Sequence, residues 1–410
     1  MLIINSEKVT KDQLSDYYSS LNRDSLKNPE GQLFGICMKE AFGLLSLLLN
    51  IKEGGGSVLL LHGDHPLASA RELCEQAQCD FLVYEEQFIH LNAPLRESVL
   101  PGLFQFSSGT TGAPKIIGRT WESIEREVNN YNHVYKSDPA LQPIITVPVS
   151  HSYGLISGVL AGIERGAMPI LITEKNPKFT LKIIKENQNS ILYSVPFLLQ
   201  VLWRLGKDQL MLNKVITSGA PMQGELLRNI LLCSEEVLQQ YGMTEVGCIS
   251  VARTIKESTD IGLPLEHLTL SLNRDDNKLN ELIVEVDGEK IHTNDLGCMR
   301  EGSYYHLGRL DDLINVSGQK VSPVEVEKVI SRIQGVKEVV VHRSLHKVHG
   351  ETVAAKVVSH DVSIHQIKKS CIEQLPAYKV PSSILLVDEI PKNTMGKVSR
   401  KLLYEQELVK

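Results

Sequence analysis

Short apolar runs recur along the chain at Ser57–Leu61, Ile144–Val149, Met168–Thr173, Ile191–Val195, Lys214–Ser218 and Glu236–Gln240. Helix-like segments such as Phe179–Glu186 and Gly224–Leu232 lie between several of them. Strands that alternate with helices bury a sheet on both faces, so the pattern predicts an α/β fold of parallel or mixed layers. After Gly262 the texture changes to shorter strands and turns, with Leu279–Val286 alternating apolar and polar. From Asp311 a compact series is expected: a strand near Leu313–Val316, a helix near Pro323–Ile333 and strands near Lys337–His342 and Thr352–Ser359. A helix near Ile364–Gln374 and a strand near Ser383–Val387 complete it. About a hundred residues of this kind make a small α+β domain. The expected division is a large N-terminal domain of mixed α/β layers, 1–310, and a small α+β C-terminal domain, 311–410. The first ~35 residues offer little periodic signal before a helix expected over Phe34–Leu49.

Charge and composition exclude several classes. The net charge is −6, with no strongly basic tract, which argues against nucleic-acid binding. The apolar and charged fractions, 42% and 22%, are those of a soluble globular protein. The N-terminus lacks a basic-then-apolar export pattern. The most apolar run, Ala41–Ile51, is too short to cross a bilayer and reads as a buried helix, so no membrane association is expected. Seven scattered cysteines without a Cys-x-x-Cys pair suit reduced thiols in a cytoplasmic enzyme, and support neither zinc nor disulfides.

Residues 107 to 115 read Ser-Ser-Gly-Thr-Thr-Gly-Ala-Pro-Lys, directly after the strand-like Leu103–Phe106. Gly109 and Gly112 let backbone N–H groups approach an anion. Ser107, Ser108, Thr110 and Thr111 bring hydroxyl donors, and Lys115 brings charge. This is not the Walker loop, because no Gly-Lys-Ser/Thr follows. Taken alone, it also reads as an ordinary solvated turn.

Four further blocks follow in order: Gln240-Tyr241-Gly242-Met243-Thr244-Glu245, Thr293-Asn294-Asp295-Leu296, Gly308-Arg309-Leu310-Asp311-Asp312, and Pro391–Arg400 with Met395-Gly396-Lys397 inside it. With the opening loop they resemble the adenylate-forming superfamily: acyl- and aryl-CoA synthetases, adenylation domains of non-ribosomal peptide synthetases, and luciferases. The resemblance runs from about Phe34 to Lys410, and among these enzymes the chain is most similar to aryl-acid ligases of siderophore biosynthesis. It implies ATP-dependent activation of a carboxylic acid to an acyl-adenylate, with Mg²⁺, and then transfer to a thiol. It also implies that the C-terminal domain is a mobile lid hinged at Asp311.

Attack on the α-phosphate with pyrophosphate leaving needs positioned donors, a metal and cations. The Ser107–Lys115 loop can hold the β- and γ-phosphates. Glu245 is a hard oxygen ligand suited to Mg²⁺. Thr244 can donate to the α-phosphate, although Thr244-Glu245 alone is also a common turn. By resemblance, Tyr241 stacks on adenine beside Gly242 and Met243, while Ser218-Gly219-Ala220 brings backbone to the other face. An isolated tyrosine after a strand is also ordinary core packing. The resemblance gives Asp295 the ribose hydroxyls, Arg309 a second ribose or phosphate contact, and Lys397 the bridge between carboxylate and α-phosphate. Without its motif, Lys397 would read as a surface lysine in a basic tail. Gly318 would line the thiol's tunnel in a second lid pose. No carrier-domain serine motif follows, so a carrier protein would be a separate polypeptide.

The segment Val147–Gly154 bears on the acid. Amino-acid-activating relatives place an aspartate here to pair the substrate ammonium, and this chain has His151-Ser152 instead. Relatives that take salicylate or 2,3-dihydroxybenzoate tend to carry asparagine where Ser152 stands. An aromatic acid without a 2-hydroxyl is therefore expected, and 3,4-dihydroxybenzoate is the specific expectation. His151, Ser152, Tyr193, Gly219, Met243, Val246 and Cys248 are the expected pocket, with His151 beside Lys397 and Thr244 as a catalytic candidate. His151 also reads as a core histidine. The expected function is aryl-acid adenylation followed by loading of a stand-alone aryl carrier protein. An aryl-CoA ligase or a non-catalytic AMP-binding homologue are the alternatives.

Overall fold

The computed structural model describes residues 1–91, 100–107, 115–136, 138–222, 224–255, 257–274, 280–316, 319–346, 350–359, 361–392, 398–400 and 402–404. Contacts group the chain into two units, Met1–Tyr193 with Gly242–Ile249, and Ser194–Tyr241 with Ser250–Lys410.

In the first unit the strands Gln87–His90, Phe81–Tyr84, Leu33–Met38, Ser57–His62, Gly102–Ser107 and Lys115–Thr120 lie side by side in that order. The four inner strands are parallel, and an antiparallel hairpin closes each edge. Every residue of Leu33–Met38 is buried, as expected of a strand with parallel partners on both sides. This corrects the helix expected over Phe34–Leu49. The helix is Ala41–Glu53, and it starts where the Glu40 carboxylate accepts the N–H groups of Phe42 and Gly43, at 2.8 and 2.6 Å. An unbroken apolar run fits a doubly buried strand as well as a buried helix. Gly35 suits the strand for a second reason: a Cβ there would collide with Sγ of Cys74 on the helix Leu67–Gln76.

A second set of parallel strands comprises Ser190–Ser194, Gln142–Ile145, Ile170–Leu171 and Leu2–Ile4, with Glu7–Val9 antiparallel at its edge. The N-terminal residues are thus part of the sheet. The helix Lys11–Ser20 opens on a reciprocal cap, the Thr10 hydroxyl accepting Gln13 N–H and the Gln13 amide accepting Thr10 N–H. The expected strand Ile144–Val149 stops at Ile145, and the chain then enters a π-helix at Tyr153–Leu160. Such windings concentrate at functional sites.

In the second unit Leu212–Thr217 runs parallel to Ser234–Met243, flanked in sequence by the helices Pro196–Gly206 and Gly224–Cys233. An antiparallel series follows: Asp260–Pro264, Ser303–Arg309, Glu289–Arg300, Asn280–Val286 and Thr269–Arg274. The C-terminal residues form the hairpin Ile314–Val316/Gln319–Val321, the helices Pro323–Ser331 and Ile364–Gln374, and a sheet of Val336–His346, Gly350–Ser359 and Ser383–Leu386. Ile314, Val326, Ile330, Val341, Val357 and Ile367 belong to one buried cluster there. The chain is mixed α/β, as expected. Among the described residues, no helix is long and apolar enough to cross a membrane.

Candidate functional site

Ser107 and Lys115 are cross-strand partners at the mouth of the hairpin Gly102–Ser107/Lys115–Thr120. The loop they enclose starts at the carboxyl end of a parallel strand, the end at which ligands bind open α/β sheets. Ser108, Gly109, Thr110, Thr111 and Gly112 lie outside the described residues, as do Gly318 and Lys397. Lys115 is exposed.

Thr244 and Glu245 sit half-buried in the turn between the strands Ser234–Met243 and Gly247–Ala252. The turn is tight, because a Cβ on Gly242 would strike the Gly247 carbonyl. Gly247 has φ +92°, a conformation that strains any other residue. Beneath the turn, the Cys248 N–H donates to Glu127 Oε1 at 2.8 Å, and Glu127 Oε2 lies 2.6 Å from Arg119 Nη1. The side chains of this ion pair are 1% and 8% exposed. Burial, reinforced by Glu127, pushes the Cys248 thiol well up, so it stays neutral. No group of three or more His, Cys, Asp or Glu that could hold a metal occurs among the described residues. The half-buried Glu245 carboxylate fits Mg²⁺, a cation that takes one or two carboxylates and fills its other positions with waters and substrate phosphates.

Of the expected acid-pocket residues, His151 and Ser152 lead into the π-helix and Tyr193 packs on Tyr153 at its start. Ser152 Oγ donates to Gln105 Oε1, and Gln105 Nε2 donates to the Ser150 carbonyl at 3.1 Å. The His151 and His62 rings lie 6.0 Å apart. Tyr193 is fully buried with its ring 5.8 Å from Tyr153, and its carbonyl accepts the Thr146 hydroxyl at 2.8 Å. Val246 and Cys248 are buried, and Met243 is half-buried. Beside Tyr193 stand Tyr131 and Tyr135, their rings edge to face and hydroxyls 3.2 Å apart, and Arg165, whose Nη2 donates to the Leu141 carbonyl at 2.9 Å. Burial raises the Tyr193 phenol, and Arg165 and the two hydroxyls draw it back.

In the second unit Tyr241, Asp295 and Arg309 come together. The Tyr241 hydroxyl donates to Asp295 Oδ2 at 2.7 Å, Arg309 Nη1 lies 3.3 Å from Oδ1, and His306 Nε2 lies 3.6 Å from the same oxygen. Asp295 pairs with Arg309 across neighbouring strands, beside a bulge at Leu296/Gly297 that interrupts the register. Burial works against the Asp295 carboxylate, but the His306 and Tyr241 donors and Arg309 outweigh it and hold its pKa below the ordinary value. Burial first, then Asp295, pushes the Tyr241 phenol far up, so it remains a donor. Ser218 Oγ donates to the Gln240 carbonyl at 3.1 Å, and Gly219, followed by Ala220, turns with φ +86°. Asp311 takes Arg309 Nε at 3.0 Å on its carboxylate and Arg343 Nη2 at 2.7 Å on its carbonyl.

Gln105, Arg119, Glu127 and His306 escape a reading of the sequence. Glu127 reaches Cys248 across 121 positions, and no local pattern marks such a pairing.

The model of the family described as AMP-binding enzyme matches residues 43–299, and that of the AMP-binding enzyme C-terminal domain matches 325–397. A 3,4-dihydroxybenzoate–[aryl-carrier protein] ligase of Bacillus anthracis is 42% identical over 409 residues, 98% of each chain. A 2-succinylbenzoate–CoA ligase of Oceanobacillus iheyensis is 28% identical over 72% of this chain and 68% of its own. Among solved structures, ATP-bound MatB from Rhodopseudomonas palustris superposes with a TM-score of 0.83 at 20% identity, covering 99% of this chain and 95% of its own. The o-succinylbenzoate CoA synthetase of Bacillus subtilis, in complex with its acyl-adenylate intermediate, gives 0.81 at 21%, covering 98% and 94%.

Proposed function

The chain belongs to the AMP-binding enzyme family, and from that footing we propose that it activates 3,4-dihydroxybenzoate with ATP and loads it onto a separate aryl carrier protein. The observation that carries the reading is the 42% identity with the Bacillus anthracis ligase over 98% of both chains. In the first step a carboxylate oxygen attacks the α-phosphorus, the bond to the β-phosphate oxygen breaks, and pyrophosphate leaves. In the second, the phosphopantetheine sulfur attacks the acyl carbon and AMP departs. We place this step in siderophore assembly in the cytoplasm, with petrobactin as the end product.

On this reading the Ser107–Gly112 loop and Lys115 hold the β- and γ-phosphates, and Thr244 donates to the α-phosphate. Lys397 bridges the attacking carboxylate and the α-phosphate, where charge builds. Mg²⁺ held by Glu245 would neutralise the phosphates. Ser218, Gly219 and Ala220 face adenine opposite Tyr241, with Gly242 and Met243 beside it. Asp295, kept ionised by its neighbours, retains lone pairs for the ribose hydroxyls, with Arg309 alongside. The lid would turn about Asp311 between the two steps and bring Gly318 to the thiol channel.

The geometry favours an acid without a 2-hydroxyl. The Ser152 proton is already given to Gln105, and a serine lacks the amide donor that asparagine would offer. A 2-hydroxyl left without its partner is worth ~1–3 kcal/mol, about ten- to a hundredfold. ATP–pyrophosphate exchange across benzoic acids should rank 3,4-dihydroxybenzoate above 2,3-dihydroxybenzoate and salicylate, and Ser152→Asn should narrow the gap. Salicylate exchanging as fast as the 3,4-isomer would end the assignment. Transfer assayed with carrier protein against CoA decides the thiol, and faster transfer to CoA would make the chain an aryl-CoA ligase.

A further inference from the structure

Two charges taken out of water at the base of the Thr244-Glu245 turn call for a reason. A buried pair contributes little net stability, because desolvation offsets most of its attraction. The Arg119–Glu127 pair is nonetheless almost fully enclosed, its atoms 2.6 Å apart. Its position is informative. Arg119 lies on the returning strand of the hairpin, four residues after Lys115, and Glu127 lies on the helix Trp121–His133 that follows. The carboxylate spends its second oxygen on the Cys248 N–H, three residues past Glu245. Gly247 packs so closely that a Cβ there would collide with both Glu127 Oε2 and Arg119 Nη1.

We infer that Arg119 and Glu127 are positioning residues, a buried clamp that fixes the Thr244-Glu245 turn against the hairpin that carries the phosphate loop. The inference rests on the reading that this turn and this loop meet the same nucleotide. An apolar contact would leave the turn free to slide, because it has no directional partner. A carboxylate paired with a guanidinium on one side and accepting one backbone N–H on the other fixes its register. Glycine at 247 follows from the same requirement, since the backbone must reach the carboxylate without a side chain between.

The decisive variant removes both charges together, Arg119→Met with Glu127→Leu, because removal of one leaves the other buried and unpaired. Its melting temperature should stay near that of the wild type. In protein free of nucleotide and metal, hydrogen–deuterium exchange at the Cys248 amide should accelerate by about tenfold, the equivalent of one lost hydrogen bond. The turnover rate of ATP–pyrophosphate exchange should fall by about a hundredfold, as expected of a misplacement near 1 Å. Arg119→Met with Glu127→Gln, which removes both charges but keeps an oxygen for the Cys248 N–H, should show smaller losses in both measurements. A folded double variant with wild-type protection at Cys248 and wild-type turnover would overturn the clamp. Accelerated amide exchange with undiminished turnover would overturn its role in the reaction. Absence of any exchange activity in the wild type would instead count against the proposed function.

Discussion

Asp295 concentrates the electrostatics of the second unit in one side chain. Its carboxylate is buried, and three donors, Tyr241, His306 and Arg309, lower its pKa below the ordinary 3.8. A carboxylate depressed in this way adds stability that is fully present above the unfolded value and is lost as pH falls through the folded one. Asp295→Asn should therefore cost ~1.5–3 kcal/mol at neutral pH, the range for hydrogen bonds to a charged group. Urea unfolding should show the gap between wild type and variant narrowing as pH falls below about 4. A gap that failed to narrow there would mean that Asp295 is already protonated in the folded protein. The motif Asn294-Asp295-Leu296 exposed this residue to a reader of the sequence. His306 and the strand register that brings Arg309 opposite were not legible, because both depend on which strands pair.

At the level of elements, legibility followed local chemistry. The helix Ile364–Gln374 matches its expected span, and its start is marked by the Ser363–Gln366 capping box. The helix Lys11–Ser20 carries the same kind of signal in Thr10 and Gln13, a mark the apolar periodicity alone passes over. Leu33–Met38 was misread because only two residues separate its apolar run from the helix Ala41–Glu53, and burial on both faces erases the alternation that marks a strand. Gly35 tests the corrected assignment. Gly35→Ala would press a methyl onto Cys74 Sγ, an overpacking that costs ~1–3 kcal/mol. In a Cys74→Ala background the same change should cost less, by at least about 0.5 kcal/mol, since the two sites touch. Urea midpoints of the four proteins measure the coupling. Strict additivity would mean that strand and helix do not meet there.

On the proposed function one active centre serves two chemistries, and the proposed answer is rotation of residues 311–410 about Asp311. The C-terminal residues have their own core, with Ile314, Val326, Ile330, Val341, Val357 and Ile367 buried together, so a change at residue 311 should not unfold them. Asp311 is also a junction: its carboxylate holds Arg309 and its carbonyl accepts Arg343. Among the described residues its N–H enters no hydrogen bond, so proline would remove no bond of that kind. Proline would fix φ near about −65° and restrict Leu310 before it, and so hinder a large rotation. Asp311→Ala serves as the control, since it loses the Arg309 pair but leaves the backbone free. With Asp311→Pro, the rate of carrier loading and the rate of ATP–pyrophosphate exchange should separate by about tenfold or more, because one pose is favoured over the other. With Asp311→Ala the two rates should move together. If proline left both rates unchanged, rotation would have to occur elsewhere along the chain. If alanine separated them as strongly as proline, the Arg309 contact rather than the backbone would govern the change of pose.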